Sequence, residues 1–445
     1  MPELIRKKKK MSSFEMIAFG FAGVILLGAI ILMLPISSSA GVVTPFDKTL
    51  FTATSAVCVT GLVVVDTGSY WSAFGQAVIL LLIQTGGLGV ITVVASFSMV
   101  SGRKISLMQR STMQDAISAP KVGGIVRLTK FILQGTFLIE LVGAILMLPV
   151  FCRDYGWKGI WMSVFHSVSA FCNAGFDILG TVDQTFPSLT GYIANPLINL
   201  VIMLLIVSGG IGFLTWDDFC TNKWNLKRYR LQSKIILVTT AVLILLPAIF
   251  FFLSDFAGFS MGKRILASFF QSVTLRTAGF NTADLGAMND SSKAIMTLMM
   301  LIGGSPGSTA GGMKTTTIAV LILNAFATFG REPETEVFGR RFDNTVVKNA
   351  ATIAILYFFL FFAGGIAISQ IEHVALSDCL FETASAVGTA GLTLGITTEL
   401  GLVSHLILVV LMYLGRVGGL TLIYAAISVK IQSGAKRPLD KITVG

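Results

Sequence analysis

The chain has 445 residues, 54% of them hydrophobic and only 13% charged, with a formal net charge of +10 and a mean hydropathy of +0.80. A soluble domain carries about 25% charged residues, so composition excludes a soluble globular enzyme and points to a polytopic membrane protein. Cys58, Cys152, Cys172, Cys220 and Cys379 show no paired spacing, and His166, His373 and His405 stand apart from them, which argues against a disulfide framework, a metal centre and histidine-based catalysis.

A basic segment, 1–13, leads into an apolar run over 14–34 with no convincing cleavage site, so this run reads as a first spanning helix. Further apolar runs fall at about 75–100, 131–151, 195–215, 235–254, 293–327 (interrupted), 348–370 and 401–429. Each approaches the ~20 residues a helix needs to cross a bilayer.

Between the two runs of every pair sits a short segment with a glycine. The four are Val59-Thr60-Gly61-Leu62, Asn173-Ala174-Gly175-Phe176, Thr277-Ala278-Gly279-Phe280 and Thr389-Ala390-Gly391-Leu392. The glycines are 114, 104 and 112 residues apart. Phe51, Phe165, Phe269 and Phe381 stand ten positions before them, and Ser55, Ser169, Val273 and Ser385 six before. The stretch ahead of each glycine has helical composition but is too short to span. The chain therefore reads as an all-α fold of four helix–re-entrant loop–helix repeats with pseudo-fourfold symmetry. The expected divisions are 1–13 basic N-terminus, 14–101 repeat one, 102–219 repeat two, 220–330 repeat three with a broken second helix, 331–430 repeat four and 431–445 tail.

Basic residues set the expected orientation. Of 33 Lys and Arg, 24 fall in the N-terminus, the connections 101–130, 219–234 and 328–348, and the stretch from Lys430 onward. Both termini are expected in the cytoplasm of a plasma-membrane protein, with the re-entrant loops entering from outside.

Non-helical backbone at membrane depth is tolerated only where protein buries it or where it lines a wet cavity. Four copies at equivalent positions suggest four strands around one axis, whose carbonyl oxygens replace the hydration shell of a monovalent cation. Glycine permits the backbone angles and the close approach this needs, and the short helices would aim their negative C-terminal ends at the cavity below.

The second run of each pair has its own glycines, at 84–90, 208–213, 302–317 and 415–421. In the first two they read as close helix packing. In the third, glycines and Pro306 forbid a continuous helix. The stretch Gly303, Gly304, Ser305, Pro306, Gly307, Ser308, Thr309, Ala310, Gly311, Gly312 is therefore expected to break the span beneath the strands and to gate the pore. Lys314 and Arg416 are cations at membrane depth, where charge is functional or paired; for Arg416 the structural alternative is a salt bridge to Glu140. Arg276 is expected to point away from the axis and brace its loop, with Asp66, Asp177, Asp284 and Glu382 as candidate partners.

The four tetrapeptides in register between spans resemble the Trk/Ktr/HKT superfamily of potassium transporters over nearly the whole chain, and most of all its bacterial KtrB membrane subunits. The resemblance implies that carbonyls at Val59, Thr60, Gly61, Asn173, Ala174, Gly175, Thr277, Ala278, Gly279, Thr389, Ala390 and Gly391 hold potassium. Glycine at all four positions implies preference for potassium over sodium. It also implies an intramembrane gating loop at 303–313 with Arg416 near the pore, a homodimer, and a separate cytosolic KtrA-like ring that binds ATP or ADP. No cofactor in this chain and no nucleic acid are expected. A Na+- or H+-coupled symporter, the competing reading, predicts inverted repeats and titratable residues around the site. A membrane enzyme lacks any nucleophile–base or metal motif in the sequence.

Overall fold

The structure, a computed structural model, describes residues 12–100, 105–117 and 123–419. The expected tail at 431–445 and most of the basic N-terminus lie outside the described residues.

Each repeat opens with a long apolar helix: Ser13–Met33, Ile125–Tyr155, Leu231–Leu253 and Asn344–Glu372. Local sequence fixes where they begin and end. Ser12 and Glu15 cap the first reciprocally, each side chain accepting the other's backbone N–H. The 31-residue second one ends at Gly156, whose positive φ no β-carbon residue adopts readily. Asp343 caps the fourth by accepting from the N–H of Thr345. Large apolar side chains such as Leu27, Leu138, Leu246 and Phe359 project outward from the middle of these helices. Such a face fits contact with lipid or with another apolar surface and not with water.

A short helix follows in every repeat: Phe46–Val57, Lys158–Phe171, Met261–Thr274 and Leu376–Gly388. None reaches across a membrane at 1.5 Å per residue. Each runs into its glycine strand through a left-handed turn, and each strand leads to the second helix. Four repeats of helix, re-entrant segment and helix make up the chain, as the sequence predicts.

Two expectations need correction. The first concerns the second helices, of which the first two are broken as well as the third. Ala73–Leu88 stops at Gly89 and the chain resumes as Val90–Val100, the two pieces bent by 99°; Pro196–Gly210 and Phe213–Asn222 meet at 98° around Gly212. Asp290–Leu301 resumes only at Thr315–Phe329, and Leu402–Val417 stops at Gly418. Gly89, Gly212 and Gly418 all have φ near +90°, which ends an α-helix outright. The first two glycine clusters also pack closely, since a Cβ on Gly86 or Gly209 would overlap the carbonyl of Val57 or Phe171. Packing and breakage occur together there.

The second concerns register in repeat three. Phe51, Phe165 and Phe381 are buried, but Phe269 is 38% exposed and Phe270 is fully buried in its stead. The backbone explains the slip. The N–H groups of Thr60, Ala174 and Ala390 bond to the carbonyls of Ser55, Ser169 and Ser385, five residues back, each at 2.8 Å. In repeat three Ala278 N–H bonds to Thr274, four residues back, at 3.0 Å. The third turn is one residue tighter, so Phe270 and Thr274, not Phe269 and Val273, are the equivalents of the other pairs.

Candidate cation-conducting site

Every strand has the same backbone alternation. Val59, Asn173, Thr277 and Thr389 have φ of 51°, 58°, 64° and 51°, and the glycines two residues on have φ of 95°, 70°, 77° and 81°. The intervening Thr60, Ala174, Ala278 and Ala390 do not have positive φ. Side chains of the short helices tie the strands down from behind. Ser55 Oγ accepts from Gly61 N–H at 3.0 Å, and Ser169 Oγ donates to the carbonyl of Phe176 at 2.7 Å. Thr274 Oγ1 donates to the carbonyl of Phe280. In the fourth repeat Glu382 does this work, accepting from Thr393, Thr397 and the N–H of Leu394.

The four strands close a ring. A Cβ on Gly61 would lie 2.6 Å from the carbonyl oxygen of Ala174, on Gly175 2.7 Å from that of Ala278, and on Gly279 2.9 Å from that of Ala390. On Gly391 it would overlap the carbonyl oxygen of Thr60. Each glycine faces a carbonyl of the next strand, and the fourth returns to the first.

The segment 303–313 lies against one side of this ring. It is a tight double-back, with Gly303 N–H bonded to Met313 O at 2.7 Å and Gly304 N–H to Gly311 O at 3.3 Å. It is stitched to the broken second helices: Ser305 and Thr309 N–H bond to the carbonyls of Gly210 and Gly209, and Gly312 N–H bonds to that of Gly415. A Cβ on Gly311 or Gly312 would run into Thr389 or the carbonyl of Gly388, so the loop sits directly on the last turn before strand four. Arg416 donates to the carbonyls of Thr309, Gly86 and Gly87. Lys314 Nζ donates to Ala310 O at 2.8 Å, within the loop.

This arrangement can be set beside known proteins. The model of the TrkH family, described as cation transport proteins, matches residues 24–435. The chain belongs to the TrkH family. Its relatives in that family include the potassium/sodium uptake protein NtpJ of Enterococcus hirae, 36% identical over 99% of both chains. They include Ktr system potassium uptake protein B of Bacillus subtilis, 36% identical over 97% of this chain and 96% of that one. The fold matches the crystal structure of the potassium transporter TrkH from Vibrio parahaemolyticus with a TM-score of 0.74 at 18% identity, covering 95% of this chain and 86% of that one.

For this TrkH-family chain, two cavities flank the ring and loop. One of about 130 Å³ is lined by all four ring glycines together with Asp66, Asp177 and Asn281. The other, about 290 Å³, is lined by Lys314, Arg416, Asp115 and residues of the loop. Ring and loop thus separate an acidic chamber from one that two cations and one carboxylate share.

Arg416 forms no salt bridge to Glu140. That carboxylate accepts from Gln84 Nε2 at 3.3 Å, whereas Arg416 bonds only carbonyls among the described residues. Nor does Arg276 brace its loop as expected. It is buried, yet its side chain has no hydrogen bond or ion pair among the described residues, and its Nε has no acceptor. Asp66 instead accepts from Ser69 and from Phe186 N–H. The ion pairs among the described residues are Arg153–Asp154, Arg341–Glu334 and those of Arg230 with Asp217 and Asp218. Sequence reasoning missed Glu382 as the anchor of strand four. Its place in a helix too short to span, eleven residues before the hydroxyl of Thr393, was the available signal.

Proposed function

We propose that this chain is the potassium-translocating membrane subunit of a Ktr-type uptake system, conducting K+ along the axis of the four-strand ring. The single observation that carries this reading is the closed ring, in which each glycine meets a carbonyl of the next strand. Alternating backbone hand at the residues flanking Thr60, Ala174, Ala278 and Ala390 turns successive carbonyls toward one side. Such a lining substitutes for the hydration shell of a monovalent cation. Asp66 and Asp177 at the outer chamber raise the local cation concentration.

The loop 303–313 is the gate in this reading. It covers the ring and is held by Arg416, whose charge also opposes a cation in the inner chamber. The relatives named as Ktr system proteins support a multi-component assembly. We assign to it a cytosolic nucleotide-binding ring and a second copy of this chain, with both termini in the cytoplasm of the plasma membrane. Coupled transport with sodium is the second reading, supported by the potassium/sodium name of the E. hirae relative.

Potassium flux into liposomes holding the purified chain, driven by a K+ gradient alone, tests the proposal. Flux without a Na+ or H+ gradient, together with sodium leak in Gly279→Ser, is the expected result. Flux that requires a second ion's gradient would establish coupled transport instead.

A further inference from the structure

Thr309 hydrogen-bonds the ring from the loop with its side chain. Its Oγ1 lies 3.0 Å from the carbonyl oxygen of Phe171 and 3.1 Å from Asn173 Oδ1. The other end of the Asn173 amide, Nδ2, donates to the carbonyl of Arg276 at 3.3 Å, which ties strand two to strand three. All of Thr309, Asn173 and Phe171 are buried. Gly209 leaves the space for this cluster, since a Cβ there would come within 2.8 Å of Asn173 Oδ1 and 2.7 Å of Thr309 Oγ1. Strand two is alone in this among the described residues. Val59 offers no polar side chain at the matching position, and the hydroxyls of Thr277 and Thr389 have no partner.

We propose that Thr309 and Asn173 form a latch that couples cation occupancy of the ring to closure of the loop. The inference rests on the reading of ring and loop given above and adds the residues that join them. A threonine hydroxyl has one proton, which here is shared between two oxygens. Withdrawing the loop strips Asn173 Oδ1 of its donor among the described residues. Asn173 holds a left-handed backbone, φ 58°, a conformation that costs free energy and persists where the surroundings fix it. With the amide anchored at both ends, the carbonyls of strand two are preorganised for a cation. With one anchor gone they are less so, and affinity falls. Linkage makes the effect reciprocal: a cation in the ring that stabilises this geometry favours the closed loop by the same free energy. Thr309 and Asn173 are positioning residues here, acting through the strand and not as the gate itself.

The test uses the full chain, with K+ binding measured by calorimetry in detergent and K+ flux measured in liposomes. Thr309→Val, which keeps the shape and removes the hydroxyl, is expected to raise flux and to weaken K+ binding about three- to tenfold, the loss of one buried hydrogen bond. Thr309→Ser keeps the hydroxyl and retains both properties. In the double variant with Asn173→Ala, Thr309→Val weakens binding no further. If Asn173→Ala does not fold, the two Thr309 variants carry the test alone. Raised flux at unchanged K+ affinity in Thr309→Val, or additive losses in the double variant, overturns the latch. Gly279→Ser separates the two levels of the argument. If it leaves K+ binding untouched, the ring is not the cation site, and that reading fails whatever the latch variants do.

Discussion

Gly391 faces the carbonyl oxygen of Thr60 so closely that no Cβ fits between them. These residues belong to the last and first strands, 331 positions apart in the chain, and their approach is what closes the ring. The obstacle is backbone, which cannot swing aside as a side chain can, and the positive φ of 81° adds strain for any other residue.

Substitution of the four glycines should therefore follow an order. Gly279 has the most room, at 2.9 Å, and Gly391 the least. Gly279→Ser is expected to fold and pass sodium, whereas Gly391→Ser loses potassium flux by more than about tenfold, equivalent to ~1.4 kcal/mol. Parallel flux assays in K+ and Na+ measure both; equal losses at the two positions would refute the ordering.

Arg416→Gln should raise potassium flux. The guanidinium's donations to Thr309, Gly86 and Gly87 pin the loop to the break in the first repeat, and a hydrogen bond from a charged donor contributes about 1.5–3 kcal/mol. An increase of about tenfold is expected from the loss of one such bond. Wild-type flux in a variant that purifies and melts normally would remove Arg416 from the gate.

The register of repeat three makes a stability prediction. Phe270→Ala empties a fully buried site and should cost about 3–5 kcal/mol. Phe269→Ala, half open to the surroundings, should cost much less. Thermal unfolding of the two variants in one detergent decides it, and a larger loss from Phe269 would restore the register read from sequence.

Glu382→Ala should loosen the outer end of strand four, because the Thr393 hydroxyl and Leu394 N–H lose their acceptor and Thr397 keeps only its bond to Thr393. A drop in K+-over-Na+ discrimination with a milder fall in total flux is expected. Glu382→Gln, which still accepts, should lie between the variant and wild type; discrimination unaltered in Glu382→Ala would show that the anchor does not reach the ring.

Much of this was legible in the sequence, for physical reasons that differ by element. Gly61, Gly175, Gly279 and Gly391 announce themselves because no other residue satisfies both the approach and the φ. The break at 303–313 is written in Gly303, Gly304, Pro306 and Gly307, which cannot hold a helix. The breaks at Gly89 and Gly212 were not legible, because a glycine cluster in a membrane helix serves packing equally well. The slip at Phe269 was hidden because two adjacent phenylalanines fit either register, and only a turn closed at four residues instead of five selects Phe270. Left-handed backbone at Val59, Thr277 and Thr389 has no sequence signal at all. These residues disfavour it, and the neighbouring strands impose it.

Because the four quarters of the ring lie on one chain, a point mutation changes a single quarter and leaves three as they were. In a ring of identical subunits the same change is made four times over. If the ring is the proposed cation path, its ion preference is open to adjustment in small steps, and the tighter turn of the third repeat is one such individual feature already in place.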